Sequence, residues 1–207
     1  MENAVFLGEF SGDMSATNKY TLTEQAIQDE WKEIEAAKAN PARFGRLYDR
    51  YYEPIFRFIY QRTANEELTA DLTSQTFLKA MQNLQKYEFK GVPFSAWLFR
   101  IATNEISQFF RQQGKKRVVS LEDNAAHDLE DEFEDKQELE INIEALKEAI
   151  QELDPDDVEM LQLRFFEKRP FKEVADILEI TENNAKVRVY RIVQRLREIF
   201  LKRKKHT

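Results

Sequence analysis

The 207-residue sequence predicts an all-α fold of two small helical domains joined by a flexible acidic linker. Three observations predict it. Apolar residues recur three and four positions apart along most of the chain, the spacing of one helix face rather than the alternation of a strand. Helix-start signals punctuate these stretches, as Asn40-Pro41, Asn65 and Asp154-Pro155. Charge is arranged in blocks. Residues 1–40 carry 3 basic and 8 acidic side chains, residues 41–119 carry 13 and 7, residues 120–157 carry 2 and 16, and residues 158–207 carry 13 and 7. The net charge of −7 thus hides two basic units separated by a strongly acidic strip.

Composition excludes several functions. Cysteine is absent, which removes disulfides, thiolate metal sites and cysteine nucleophiles and fits a reducing cytoplasm. His127 and His206 both lie in charged, loop-like sequence, so no histidine-based catalytic or metal site is expected. No apolar run approaches the ~20 residues of a membrane span. Residues 1–10 lack the pattern of a signal peptide. The expectation is a cytoplasmic protein that is not an enzyme, needs no cofactor and does not insert in a membrane.

Residues 1–40 read as a mobile stretch followed by one acidic helix, with a capping box at Thr21 and Glu24 and an apolar stripe of Ile27, Trp31 and Ile34. The first basic domain spans 41–118. Phe44, Leu47, Tyr48 and Tyr51 form a stripe after Asn40-Pro41, and Pro54 is expected to begin a second helix containing Ile55, Phe56, Phe58 and Ile59. Asn65 caps the next helix, where Leu68, Leu72, Thr76, Ala80 and Leu84 repeat every four residues. The opposite side carries Asp71, Ser74, Gln75, Leu78 and Lys79, a polar face with a leucine in its middle. Residues 86–93 are a loop broken by Gly91 and Pro93, where Tyr87 and Phe89 alternate with Lys86 and Lys90. That aromatic and cationic mixture suits unstacked bases.

Residues 94–111 form a helix of two faces: Phe94, Leu98, Ile101, Ala102 and Phe109 toward the core, and Trp97, Arg100, Asn104, Ser107, Gln108 and Arg111 outward. A tryptophan opening a cationic face can stack on bases and pair with phosphates, and the basic 115–117 segment follows. Residues 119–142 are densely acidic and poor in apolar side chains, the composition of a flexible linker. The second basic domain spans 143–204. It closes with a short helix over 171–178, a tight turn at 179–181 and a longer helix from Asn183. That helix has an apolar stripe of Ala185, Val189, Ile192, Leu196 and Ile199, and an outer face bearing Asn183, Asn184, Lys186, Arg188, Tyr190 and Arg191. Short helix, turn and cationic second helix make a helix-turn-helix, whose second helix reads the major groove.

Three motifs in order resemble the extracytoplasmic-function (ECF) group of the bacterial sigma-70 family. Residues 69–77, Thr-Ala-Asp-Leu-Thr-Ser-Gln-Thr-Phe, are similar to the family's Ala-Glu-Asp-Leu-Val-Gln-Glu-Thr-Phe. Residues 95–104, Ser-Ala-Trp-Leu-Phe-Arg-Ile-Ala-Thr-Asn, are similar to Ser-Trp-Leu-Arg-Ile-Ala-x-Asn, with Ala96 between the Ser and the Trp and Phe99 between the Leu and the Arg. Residues 173–178 match Glu-Ile-Ala-x-x-Leu, and Lys186, Arg188 and Arg191 fall where the family's second helix has basic residues. Asn184 and Val187 depart from the family's Thr and Ser.

The resemblance implies a region 2 that binds core RNA polymerase and captures the opened minus-ten strand, and a region 4 that reads the minus-thirty-five element. It implies polymerase contacts by Asp71, Leu72, Ser74, Gln75, Leu78 and Lys79. It implies DNA contacts by Phe89, Lys90, Trp97, Arg100, Asn104, Gln108 and Arg111, and by Asn183, Asn184, Lys186, Arg188, Tyr190 and Arg191. Core RNA polymerase and promoter DNA are the implied partners, with an anti-sigma factor as a further candidate. Two other readings stay open on the residues: a helix-turn-helix regulator that binds duplex DNA alone, and a protein that only docks on polymerase.

Overall fold

Eight α-helices, two 3₁₀ turns and one π turn, with the loops between them, make up the residues that the computed structural model describes, 24–114 and 143–204, and no strand occurs among them. The expected capping box at Thr21, the mobile first twenty residues and the linker over 119–142 lie outside the described residues.

Helix α1 (Glu24–Ala39) leads through a 3₁₀ turn (Pro41–Phe44) into α2 (Gly45–Thr63). The Asn40 side chain accepts from the Ala42 N–H at 3.1 Å, and Pro41 supplies a first-turn residue that needs no donor. Pro54 does not start a new helix, as the sequence predicts; it lies inside α2. Loss of one N–H there is outweighed by a continuous buried stripe on both sides of it, Leu47, Tyr51, Ile55, Phe58 and Ile59. Ala64 ends α2 in the left-handed conformation (φ 46°), its N–H bonded to the Tyr60 carbonyl.

Asn65 then caps α3 (Glu66–Asn83) by accepting from the Leu68 N–H at 2.8 Å. Along the buried side of α3 the hydroxyls of Thr69, Thr73 and Thr76 each donate to the carbonyl four residues back, so that polar side chains enter the core satisfied. A short 3₁₀ turn (Leu84–Lys86) and a loop lead to α4 (Phe94–Gln113).

The N-terminus of α4 is held from a distance. Glu30 of α1 is buried; one carboxylate oxygen accepts from the Phe94 N–H at 2.9 Å and the other from the Tyr51 hydroxyl. A carboxylate at a helix N-terminus complements the unpaired amides and the dipole. The acidic first helix is therefore the piece that locks α2 and α4 together.

The second module comprises α5 (Ile143–Gln151), α6 (Pro155–Leu161), a π turn (Gln162–Phe166), α7 (Phe171–Ile177) and α8 (Glu182–Lys204). Leu146, Ile150, Val158, Leu161, Val174, Ile177, Ala185, Val189, Ile192 and Leu196 are the buried side chains that hold these helices together. The Thr181 hydroxyl accepts from the Asn184 N–H at 3.2 Å, the cap expected at the turn before α8. Arg203 near the end of α8 pairs with Glu148 and Glu152 around the end of α5.

One face assignment changes. Ile101 and Phe109 are only partly buried, whereas Phe99, Ile106 and Phe110 of α4 are inside. Helix α4 is covered by α1, α2, α3 and also α7, so its buried arc is wider than a single stripe.

Candidate nucleic-acid interface

Helix α4 and the loop before it carry the first surface. Trp97 is half-buried, its ring tilted against Tyr87 and Phe94 with centroids 4.8 and 5.4 Å away. The same ring and Arg100 line two adjoining cavities. The smaller, about 170 Å³, is formed with Tyr87, Lys90 and Val92 of the loop. The larger, about 460 Å³, runs between α3 and α4 past Asn83, Lys86, Asn104 and Gln108. An aromatic floor with cationic and amide walls suits an unstacked strand, because bases stack on rings while phosphates pair with cations. Lys90, Asn104 and Gln108 are exposed here. Arg111 is exposed in the last turn of α4, outside both cavities.

Phe89 is 42% exposed and leans on Trp31 of α1, centroids 5.6 Å apart. Trp31 also meets Tyr87 at 6.0 Å and lies under the Lys38 ammonium at 4.7 Å, while Lys38 donates to the Tyr87 carbonyl. The loop is thus braced by a helix outside the three motifs, and the sequence carries a signal for it only in a tryptophan on an otherwise acidic helix. Burial raises the Tyr87 hydroxyl well above the ordinary tyrosine range, so the ring stays neutral.

The second surface lies on α3. Asp71, Ser74 and Gln75 are exposed and Leu78 is 50% exposed. Two of the implied polymerase contacts are engaged within the fold. Leu72 is only 3% exposed: its side chain points into the core, and it positions the helix rather than presenting itself. Lys79 pairs with Glu105 of α4 and lines the larger cavity. Met81, 45% exposed, joins Leu78 as an apolar residue that the fold leaves in water. The four-residue periodicity of α3 places it beside the buried row, which is why sequence reading misses it.

The third surface is the outer side of α8. Asn183, Asn184, Lys186, Tyr190 and Arg191 are exposed. Lys186 pairs with Glu182 one turn back at 2.7 Å. Arg188 is partly turned away, 3.4 Å from Asp157 of α6, and Arg195 meets the same carboxylate at 3.1 Å. Val187, which departs from the family's Ser, is exposed among these polar groups, and an aliphatic side chain there can meet a thymine methyl in the major groove.

The family model described as Sigma-70 region 2 matches residues 47–116, and that described as Sigma-70, region 4 matches residues 143–196. The ECF RNA polymerase sigma factor BldN of Streptomyces coelicolor is 33% identical over 165 residues, which cover 79% of this chain and 62% of that protein. The ECF RNA polymerase sigma factor SigM of Bacillus subtilis is 27% identical over 155 residues, 74% of this chain and 93% of that one. Against the shape of solved proteins, CnrH in complex with the cytosolic domain of CnrY gives a TM-score of 0.56 at 21% identity, covering 81% of this chain and 94% of that chain, a likeness of fold.

Proposed function

Because the chain belongs to the sigma-70 family, in its extracytoplasmic-function group, we propose that it binds core RNA polymerase through the exposed face of α3 and directs it to promoters in the cytoplasm. In this reading residues 41–118 form region 2 and residues 143–204 form region 4. Helix α8 enters the major groove of the minus-thirty-five element with Asn183, Asn184, Lys186, Val187 and Arg191, while Tyr190 reaches the backbone at its edge. Region 2 traps the opened minus-ten strand between the 86–93 loop and α4, with Trp97, backed by the buried Tyr87, as stacking platform and Lys90, Arg100, Asn104 and Gln108 as polar contacts. Phe89 and Arg111 extend the track at its two ends. Extruding a base costs a few kcal/mol, which a fitted pocket with stacking offsets. Bond chemistry belongs to the polymerase, and the chain supplies recognition.

The observation that carries this reading is the pair of cavities sharing Trp97 and Arg100 of α4, together with an exposed reading helix on the other module. A regulator acting alone on duplex DNA leaves that strand-sized track and the Leu78 face without a use. Run-off transcription with core polymerase and a pool of promoter templates, with and without the chain, tests the reading. Transcripts with defined starts that depend on the chain support it. Their absence, with the chain folded, overturns it.

A further inference from the structure

The face that α8 turns away from its own module is centred on a side chain that neither donates nor accepts a hydrogen bond. Successive residues of a helix point about 100° apart. Ala185 and Val189, two positions to either side of Val187, therefore point about 160° away from it. Both are buried against the module, 0% and 5% exposed, whereas Val187 is 40% exposed. Whatever α8 is laid against meets this isopropyl group first.

The neighbours of Val187 complete the exposed arc. Lys186 and Arg188 point about 100° to either side of it, so they stand at the two edges of the face. Both are already held at those edges, Lys186 by Glu182 at 2.7 Å and Arg188 by Asp157 of α6 at 3.4 Å. Surface pairs of this kind are weak, and a phosphate can take the place of the carboxylate. A helix seated in the major groove has a phosphate backbone on each flank and base edges beneath it. Cations at the edges of α8 thus meet phosphates, and its centre meets bases. Within a turn before Val187 the centre carries the amides of Asn183 and Asn184, and a turn after it the guanidinium of Arg191, all exposed. From residue 183 to residue 191 the helix advances about 12 Å, the length of about four base pairs.

The chemistry of that centre selects a base order. An amide pairs with adenine through N6 and N7, and a guanidinium with guanine through O6 and N7. Valine offers only methyl groups, and the base that presents a methyl in the major groove is thymine. A cytosine in the same place would bury its amino group against hydrocarbon, unpaired. Valine is also stiff about its first side-chain bond, so it does not swing aside to relieve the mismatch.

We propose that Val187 is the specificity-determining residue of α8: it reads a thymine methyl in the middle of this run, with adenine under the amides and guanine under Arg191, while Lys186 and Arg188 hold the flanking phosphates and carry no base preference. This rests on the minus-thirty-five reading of α8 and names the sequence that the helix selects.

The test uses holoenzyme, the full chain with core polymerase. Run-off templates with a randomised minus-thirty-five element are transcribed, and those used are sequenced. The wild-type chain should enrich a thymine with adenine and guanine on opposite sides of it. Each thymine of the enriched duplex is then replaced by uracil, which removes the methyl and leaves base pairing intact. At the central position this should weaken holoenzyme binding to a labelled fragment about fourfold, the scale of one lost methyl contact. Val187→Ser, an exposed change, should bind the thymine and uracil duplexes equally and enrich no base there. Arg188→Gln should weaken binding to all templates alike, lower the salt dependence by about one phosphate contact and keep the thymine preference.

A wild-type holoenzyme indifferent to every uracil replacement, or a Val187→Ser holoenzyme that keeps the methyl sensitivity, overturns the inference. Chain-dependent transcripts with defined starts in either case leave the function standing. Absence of such transcripts from the whole pool removes the function, and the thymine reading with it.

Discussion

Leu78 and Met81 offer the sharpest perturbation, because the folded chain has no use for their outer halves. They are 50% and 45% exposed on the same side of α3 as Asp71, Ser74 and Gln75. Replacing both with glutamine keeps the unbranched stem that covers the helix and hardly alters helix propensity, so the module should lose less than about 1 kcal/mol. Docking is a different matter. Full burial of a leucine or methionine side chain is favourable by about 1.5–3 kcal/mol, so the half still in water accounts for about 1 kcal/mol at each position. The pair should therefore weaken binding to core polymerase by about 2 kcal/mol, or about 30-fold. Two amides now facing an apolar partner push the loss higher.

The assay is competition of the unlabelled variant against labelled wild-type chain for core polymerase, with urea denaturation of each free chain as the control. Affinity within about threefold of wild type, with stability intact, would refute the assignment of α3 as the docking face. The two side chains would then need another explanation for their exposure.

The remaining predictions touch the other surfaces. Arg191→Ala should reduce use of a duplex promoter by about 1–3 kcal/mol when holoenzyme is titrated on the template. Arg195→Ala, whose side chain is held by Asp157, should change it little. Trp31→Ala should cost the first module about 2–3 kcal/mol in urea denaturation, from a half-buried ring, two aromatic contacts and one cation–π contact. It should also slow promoter opening followed by 2-aminopurine fluorescence in the minus-ten element, and Trp31→Phe should restore most of both. Burial raises the carboxyl of Glu173 above its ordinary value of 4.5 despite its pair with Arg169. The folded chain thus takes up that proton before the unfolded chain does as pH falls. Its contribution favours folding at pH values below the window and is lost as pH rises from 4.5 through the raised value. Glu173→Gln should flatten this slope in urea midpoints measured across that range.

How far the sequence alone could be read follows from which forces act locally. Caps and turns are settled by neighbouring residues, so Asn40, Asn65 and Thr181 sit where their side chains predict. The outer faces of α3 and α8 were legible for the same reason, since periodicity sorts wet from dry within one helix. Pro54 was misread because a proline's local penalty can be overridden by core contacts on both sides of it. A motif names a stretch without saying which of its side chains faces inward, so Leu72 stands both in the apolar repeat, where the structure buries it, and among the contacts the resemblance implies.

The contact between α4 and α7 was not legible at all, and its physics explains why. Arg100 and Asp176 lie far apart in the chain, each on a helix face that is polar and reads as solvated. Complementary charge on separate modules leaves no periodic trace, because neither face is apolar enough to demand cover. Phe99 is the one residue that could have announced it. It is fully buried, edge-on to Phe58 of α2 and 4.1 Å from the Arg169 guanidinium of the second module. A phenylalanine that touches both modules ties α4 to the segment that leads into α7. The carboxylates of Asp176 and Glu179 beside it pair with Arg100 and give that tie an ionic rim. Only the apolar part of such a contact leaves a mark that a sequence can show, and here that part is a single ring.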